Sequence, residues 1–134
     1  MLRYFHLLFG LALFVAFLVT GQFMRHDFPD KSLINQELRV LMRSRHIYIL
    51  LISVTHLMVG LYVQVSVSKF RAYLQYFGSF LISAAGLIMI YAFAHESYDL
   101  HNYSDYSRNA LYLVLGGAGL HVFGGFQLKS KTNA

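Results

Sequence analysis

Residues 72–95 read AYLQYFGSFLISAAGLIMIYAFAH, 24 residues without a Lys, Arg, Asp or Glu. At 1.5 Å rise per residue this stretch forms a helix of about 36 Å, longer than a hydrocarbon core of about 30 Å. A backbone in lipid must satisfy its own hydrogen bonds, which leaves the helix as its structure. Three more charge-free stretches repeat the pattern: Tyr4–Met24, His46–Ser68 and Asn109–Leu128. Together they predict an all-α integral membrane protein. Its fold class is an antiparallel four-helix bundle, with spans over about residues 4–24, 46–66, 72–95 and 108–128.

The composition agrees. Charged residues make up 13% of the 134, against about 25% in soluble domains, and mean hydropathy is +0.50. Apolar residues dominate and there is a single proline, which excludes a disordered chain. No cysteine is present, so disulfides, thiolate nucleophiles and cysteine-ligated clusters are excluded. The first apolar run exceeds a signal-peptide h-region, and Thr20-Gly21-Gln22-Phe23 offers no small-x-small cleavage site. It reads as a retained span.

The connections carry the polarity. Loop 1 runs from Arg25 to Arg45, and Phe28-Pro29-Asp30 stops any helix there. Ser32 is an N-cap candidate. Leu33, Ile34, Leu38, Leu41 and Met42 then recur at helical spacing, opposite Arg39 and Arg43. This pattern predicts an amphipathic surface helix between spans 1 and 2 that bends into span 2. Loop 2 is Lys69-Phe70-Arg71, and loop 3 runs from Glu96 to Ser107.

Five Lys and Arg (Arg3, Lys69, Arg71, Lys129, Lys131) lie with the termini and loop 2, and six (Arg25, Lys31, Arg39, Arg43, Arg45, Arg108) on the opposite side. All six acids lie on that opposite side. The purely basic side is expected in the cytoplasm, which places both termini there, in a bacterial inner membrane. The net charge of +5 favours anionic lipid of the bilayer as partner, not nucleic acid.

Seven histidines outnumber the acids. Five lie near expected span ends: His6, His26, His46, His95 and His101. His56 and His121 lie deep in spans 2 and 4, and an ionisable residue at such depth marks a functional site by default. Parallel spans sit on a bundle diagonal, and two imidazoles across a diagonal suit one haem b iron. Gly60 and Gly125 lie four residues after these histidines and Gly117 four before His121. Small residues there leave room for a macrocycle, and Ser53 is placed to take the second ring N–H of His56. The competing explanations are close helix packing by glycine and hydrogen bonding by buried histidine. A second constellation, His26, His46, His95, Glu96 and His101, falls at the loop 1/loop 3 face, where imidazole with carboxylate suits copper or zinc. The competing explanation there is a solvated rim.

Thr20-Gly21-Gln22-Phe23-Met24-Arg25, followed by Leu41-Met42-Arg43-Ser44-Arg45-His46-Ile47-Tyr48, resembles an uncharacterised family of small four-span bacterial membrane proteins. The resemblance covers the first half of the chain. It implies the four-span architecture and no activity.

Three classes of function follow as expectations. The first is a haem protein transferring electrons to or from a quinone pool or a partner. The second is a non-catalytic subunit or assembly factor of a membrane complex. The third is an oligomeric proton or metal-ion transporter. Four spans bury little core, so a homo-oligomer fits any of them.

Overall fold

The computed structural model describes residues 1–27, 35–96 and 105–125. Four helices account for nearly all of them: α1 (Leu2–Asp27), α2 (Gln36–Tyr62), α3 (Lys69–Glu96) and α4 (Asp105–Gly125). Among the described residues there is no strand. The helices form two tight hairpins, α1 with α2 and α3 with α4, joined mainly through α2 and α3. Contacts fix the directions. Leu7 near the start of α1 meets Gly60 near the end of α2, and Gly21 near the end of α1 meets His46. Gln75 early in α3 meets Gly124 late in α4. Sequence neighbours therefore run antiparallel.

α1, α2 and α3 are long and apolar enough to cross a membrane. The described part of α4, Asp105–Gly125, is not among these helices, and the expected fourth span runs on to 128, outside the described residues. The residues after 125 lie outside the description.

α2 differs most from expectation. Leu38, Leu41 and Met42 belong to one continuous helix that runs through Arg45 and His46 without a break. No surface helix bending into span 2 is found in the described part of loop 1. Ser32, Leu33 and Ile34 lie outside the described residues, and the N-cap is Asn35, whose side chain accepts from the Glu37 N–H at 3.0 Å. Between Gln36 and Val59 there is neither glycine nor proline to interrupt the helix. Met42, 3% exposed, already faces the bundle.

Loop 2 also moves. α2 stops at Tyr62 and α3 starts at Lys69, so the connection is Val63–Ser68. Val63, Val65 and Val67 are β-branched and weak helix formers. The buried Gln75 side chain fixes the turn. Its carbonyl accepts from the Ser66 N–H at 2.9 Å and its amide donates to the Gln64 carbonyl at 2.9 Å. Two orphan backbone groups beyond the end of α2 are thereby satisfied.

An apolar layer crosses the middle of the bundle, formed by Leu13, Ile49, Ile52, Ile82, Ala85 and Met89, each at most 2% exposed. Below it α3 and α4 come into backbone contact. A Cβ on Gly117 would lie 2.6 Å from the Gly78 carbonyl oxygen, and one on Gly78 would lie 2.7 Å from that of Gly117. Only glycine permits this approach. Gly117→Ala is therefore expected to destabilise the bundle by about 1–3 kcal/mol through overpacking. Gly119→Ala, with open space at its Cβ, is expected to leave stability unchanged or raise it. Thermal unfolding of both variants in detergent checks the contrast, and equal effects would contradict it.

Candidate functional site

One polar side chain from each helix meets below the apolar layer. His6 Nδ1 lies 2.8 Å from His56 Nδ1, and His6 Nε2 lies 2.8 Å from Ser79 Oγ. Ser79 Oγ lies 2.9 Å from His121 Nε2 and donates to the Gln75 carbonyl at 2.8 Å. His121, Ser79, His6 and His56 thus form one unbranched hydrogen-bonded run across α4, α3, α1 and α2. His6 and His56 are fully buried. His6 packs its ring 4.8 Å from that of His56 and 5.5 Å from that of His121. Phe9 closes the site over His56 at 4.8 Å.

The protons can be placed. A serine hydroxyl has one proton and two acceptor lone pairs. With that proton on the Gln75 carbonyl, Ser79 Oγ must accept Nε2–H from both His6 and His121. Neutral His6 then has a bare Nδ1, which takes Nδ1–H from His56. In this placement the run ends at His56 Nε2 and His121 Nδ1, the former on the side of the Ile82 backbone. This is an assignment by elimination within the network. The Ile82 backbone of α3 lies toward His56, yet nothing makes a hydrogen bond of proper geometry to the buried Nε2. His121 Nδ1 makes no hydrogen bond among the described residues. The Cδ2 edge of this ring is turned toward Gly78, which directs Nδ1 away from α3.

His6 was expected at the rim of the membrane. It is instead the centre of the run, because α1 begins at Leu2 and its first turns pack against the end of α2. The site is not midway along α2 either. Once α2 is extended back to Gln36, His56 lies about 9 Å from its Tyr62 end. The one signal in the sequence that pointed to His6 was its place inside a charge-free stretch.

The residues expected around a haem are otherwise engaged. Ser53 donates to the Gly10 carbonyl at 2.8 Å and meets neither nitrogen of His56. A Cβ on Gly60 would strike Leu7 at 2.8 Å, and Gly117 packs on Gly78 and Ile82. His6 and Ser79 bridge His56 to His121. The space a macrocycle would need is filled, so these residues do not fit a haem in this arrangement. Gly125 alone faces open space, with Gln75 Nε2 at 3.8 Å.

The second constellation is dispersed. His46 stacks on Phe17 at 4.1 Å and bonds to Thr20 Oγ1 at 3.0 Å. His95 is exposed and packs on Tyr91 at 4.3 Å. His26 is exposed near the end of α1, and His101 lies outside the described residues. Among the described residues, no three His, Asp or Glu side chains converge as a metal site. Glu96 goes elsewhere. It is 5% exposed and faces Arg45, 4% exposed, with Arg45 Nε 3.4 Å from Oε2. Arg45 also donates to the Glu96 carbonyl at 2.8 Å and to Ser107 Oγ at 3.1 Å, while Ser107 donates to Glu96 Oε2 at 3.0 Å. This network ties α2, α3 and α4 at the end opposite the histidines. A cation on the last carbonyl of α3 also suits the helix dipole.

No protein-family model, curated protein sequence or solved structure matches the chain.

Glu96→Ala is expected to lower stability by about 3–5 kcal/mol, because it leaves the Arg45 guanidinium buried beside an empty acceptor. Replacing both partners by apolar residues, Arg45→Met with Glu96→Leu, is expected to recover much of that loss. Chemical unfolding in detergent measures both, and a double variant no better than the single one would show that the pair contributes more than charge balance.

Proposed function

We propose that this chain is a small four-helix integral membrane protein, of the bacterial inner membrane with both termini cytoplasmic, whose buried histidine run takes up and passes protons. The observation that carries this reading is the continuity of His121, Ser79, His6 and His56, every link at 2.8–2.9 Å. Ionisable side chains inside an apolar bundle are costly, and a connected set of them marks a proton path more readily than helix glue.

The tautomers explain how the run works. A proton arriving at His56 Nε2 lets Nδ1–H cross the 2.8 Å bond to His6, so charge moves between the rings without heavy-atom motion. Passage between His121 and His6 requires one of the two Nε2 atoms to have lost its proton, so that the Ser79 hydroxyl can leave the Gln75 carbonyl, donate to that nitrogen and take a proton from the other ring; this makes Ser79 the junction. The layer of Leu13, Ile49, Ile52, Ile82, Ala85 and Met89 separates this run from Arg45 and Glu96. No polar side chain of the run extends into that layer, so protons exchange with one side of the bundle only. That favours a proton-handling site over a through-channel.

A subunit role is the second reading, and one observation favours it. Gly116 and Gly119 on α4 have nothing within 4 Å of their Cβ positions, and exposed Tyr112 and Leu115 flank them. Such a face suits close packing against another membrane helix.

Nitrogen NMR of labelled histidine in nanodiscs tests the relay. His6, His56 and His121 are expected to change protonation as one coupled set when pH is varied. Ser79→Ala should uncouple His121 from the other two, and Ser79→Thr should keep them coupled. Three rings that titrate independently in the unmodified protein would overturn the relay. A reduced-minus-oxidised spectrum after haem-replete expression is expected to show no Soret band. A low-spin signal lost in His56→Ala or His121→Ala would restore the haem alternative.

A further inference from the structure

His121, the end of the run on α4, lines a cavity. Its volume is about 420 Å³, within the range of about 300–1,000 Å³ usual for small-molecule sites. It opens sideways between the end of α2 and the end of α4, two helices that touch only narrowly. Met58, Val59, Tyr62, Ala118 and Val122 supply its apolar wall. Met58, Tyr62 and Val122 are themselves exposed, so the mouth faces whatever surrounds the bundle.

The lining narrows the chemistry of a ligand. Among the described residues, no Lys, Arg, Asp or Glu lines the cavity. An anionic headgroup would find no cation there and a cation no carboxylate, so burying either would cost several kcal/mol. Gln75 also lines it, but its carbonyl and amide are committed to Ser66 and Gln64. The uncommitted polar groups among the described lining residues are then the Tyr62 hydroxyl, the Gln64 side-chain amide and His121 Nδ1, and of these only His121 belongs to the hydrogen-bonded run, its other ring nitrogen being held by Ser79. A tyrosine ring and a thioether on the wall suit a flat, polarisable molecule.

We propose that this cavity binds a neutral, lipid-soluble quinone-type ring, with one ring oxygen hydrogen-bonded to His121 Nδ1. A quinol hydroxyl donates to the bare nitrogen directly. A quinone carbonyl is accommodated by the other neutral tautomer of His121, in which Nε2 has given up its proton, Nδ1 has taken one up, and the Ser79 hydroxyl donates to the bare Nε2. The ligand thus reads the state of the hydrogen-bonded run. This assignment rests on the membrane reading above, since lateral access requires lipid at the mouth, but it does not depend on passage of a proton through to His56.

The test titrates decylubiquinone and its reduced form into nanodiscs containing the labelled protein. Saturable binding is expected, with a shift confined first to His121 Nδ1. Gly125→Leu and Ala118→Phe fill the cavity from two directions. Each is expected to weaken binding by at least about tenfold, while the coupled His6 and His56 signals persist. Binding without a His121 response, or equal competition by hexadecane, would overturn the proposal by making the cavity a groove for acyl chains. Tighter binding of oleate than of decylubiquinone would overturn it by showing that a charged headgroup is accepted. A chain that does not enter nanodiscs at all would instead overturn the membrane reading, and the two failures are told apart before any ligand is added.

Discussion

Four side chains on four helices share one run of hydrogen bonds, and the lower half of the bundle is arranged around it. His6 accounts for the position of α1, because its two ring nitrogens reach α2 and α3 together. Ser79 accounts for the close approach of α4, because its hydroxyl joins His121 only where Gly78 and Gly117 bring the backbones together. Each link is a neutral hydrogen bond of about 1 kcal/mol net. Its larger effect is what its absence would cost, since a buried ring nitrogen stripped of its partner loses about 1–3 kcal/mol. The run therefore specifies the packing more than it adds to stability.

The two ends of the bundle handle polarity differently. Near the last turn of α3, charge is neutralised in place: Arg45 and Glu96 pair, and Ser107 fills part of the remaining valence. That network is rigid and has its donors matched to acceptors, apart from Glu96 Oε1. Near the start of α1, the groups are titratable and mutually connected, and the run ends at His56 Nε2 and His121 Nδ1. The apolar layer keeps the two apart. A structural latch at one end and an open acid–base run at the other is a division of labour that suits exchange with one side of a membrane.

Parts of this were legible in residues. Tyr4–Met24 and Ala72–His95 contain no charge, so helices of membrane length followed from composition and backbone chemistry. Glycine spacing in α4 marked close packing. His56 and His121 stood out because they lie deep in charge-free stretches. Others were not legible. Arg45 looked like a loop residue, since it follows Arg39 and Arg43 and borders a charge-free run. Its partner lies 51 positions away, and that pairing allows Arg45 to be buried within α2. Glu96 looked like a metal ligand for the same reason.

Helical structure over the long charge-free stretches is a local consequence of side-chain and backbone chemistry, and the sequence alone determined it. Which histidines form the site depended on helix register and on which faces meet. His6 sits five residues into the chain and reads as a rim residue until α1 is packed against Gly60 and Ser79. Hydrogen bonds between distant side chains have no period or spacing in the sequence. For that reason only the tertiary structure joined His6, His56, Ser79 and His121, and filled the space a haem would have required.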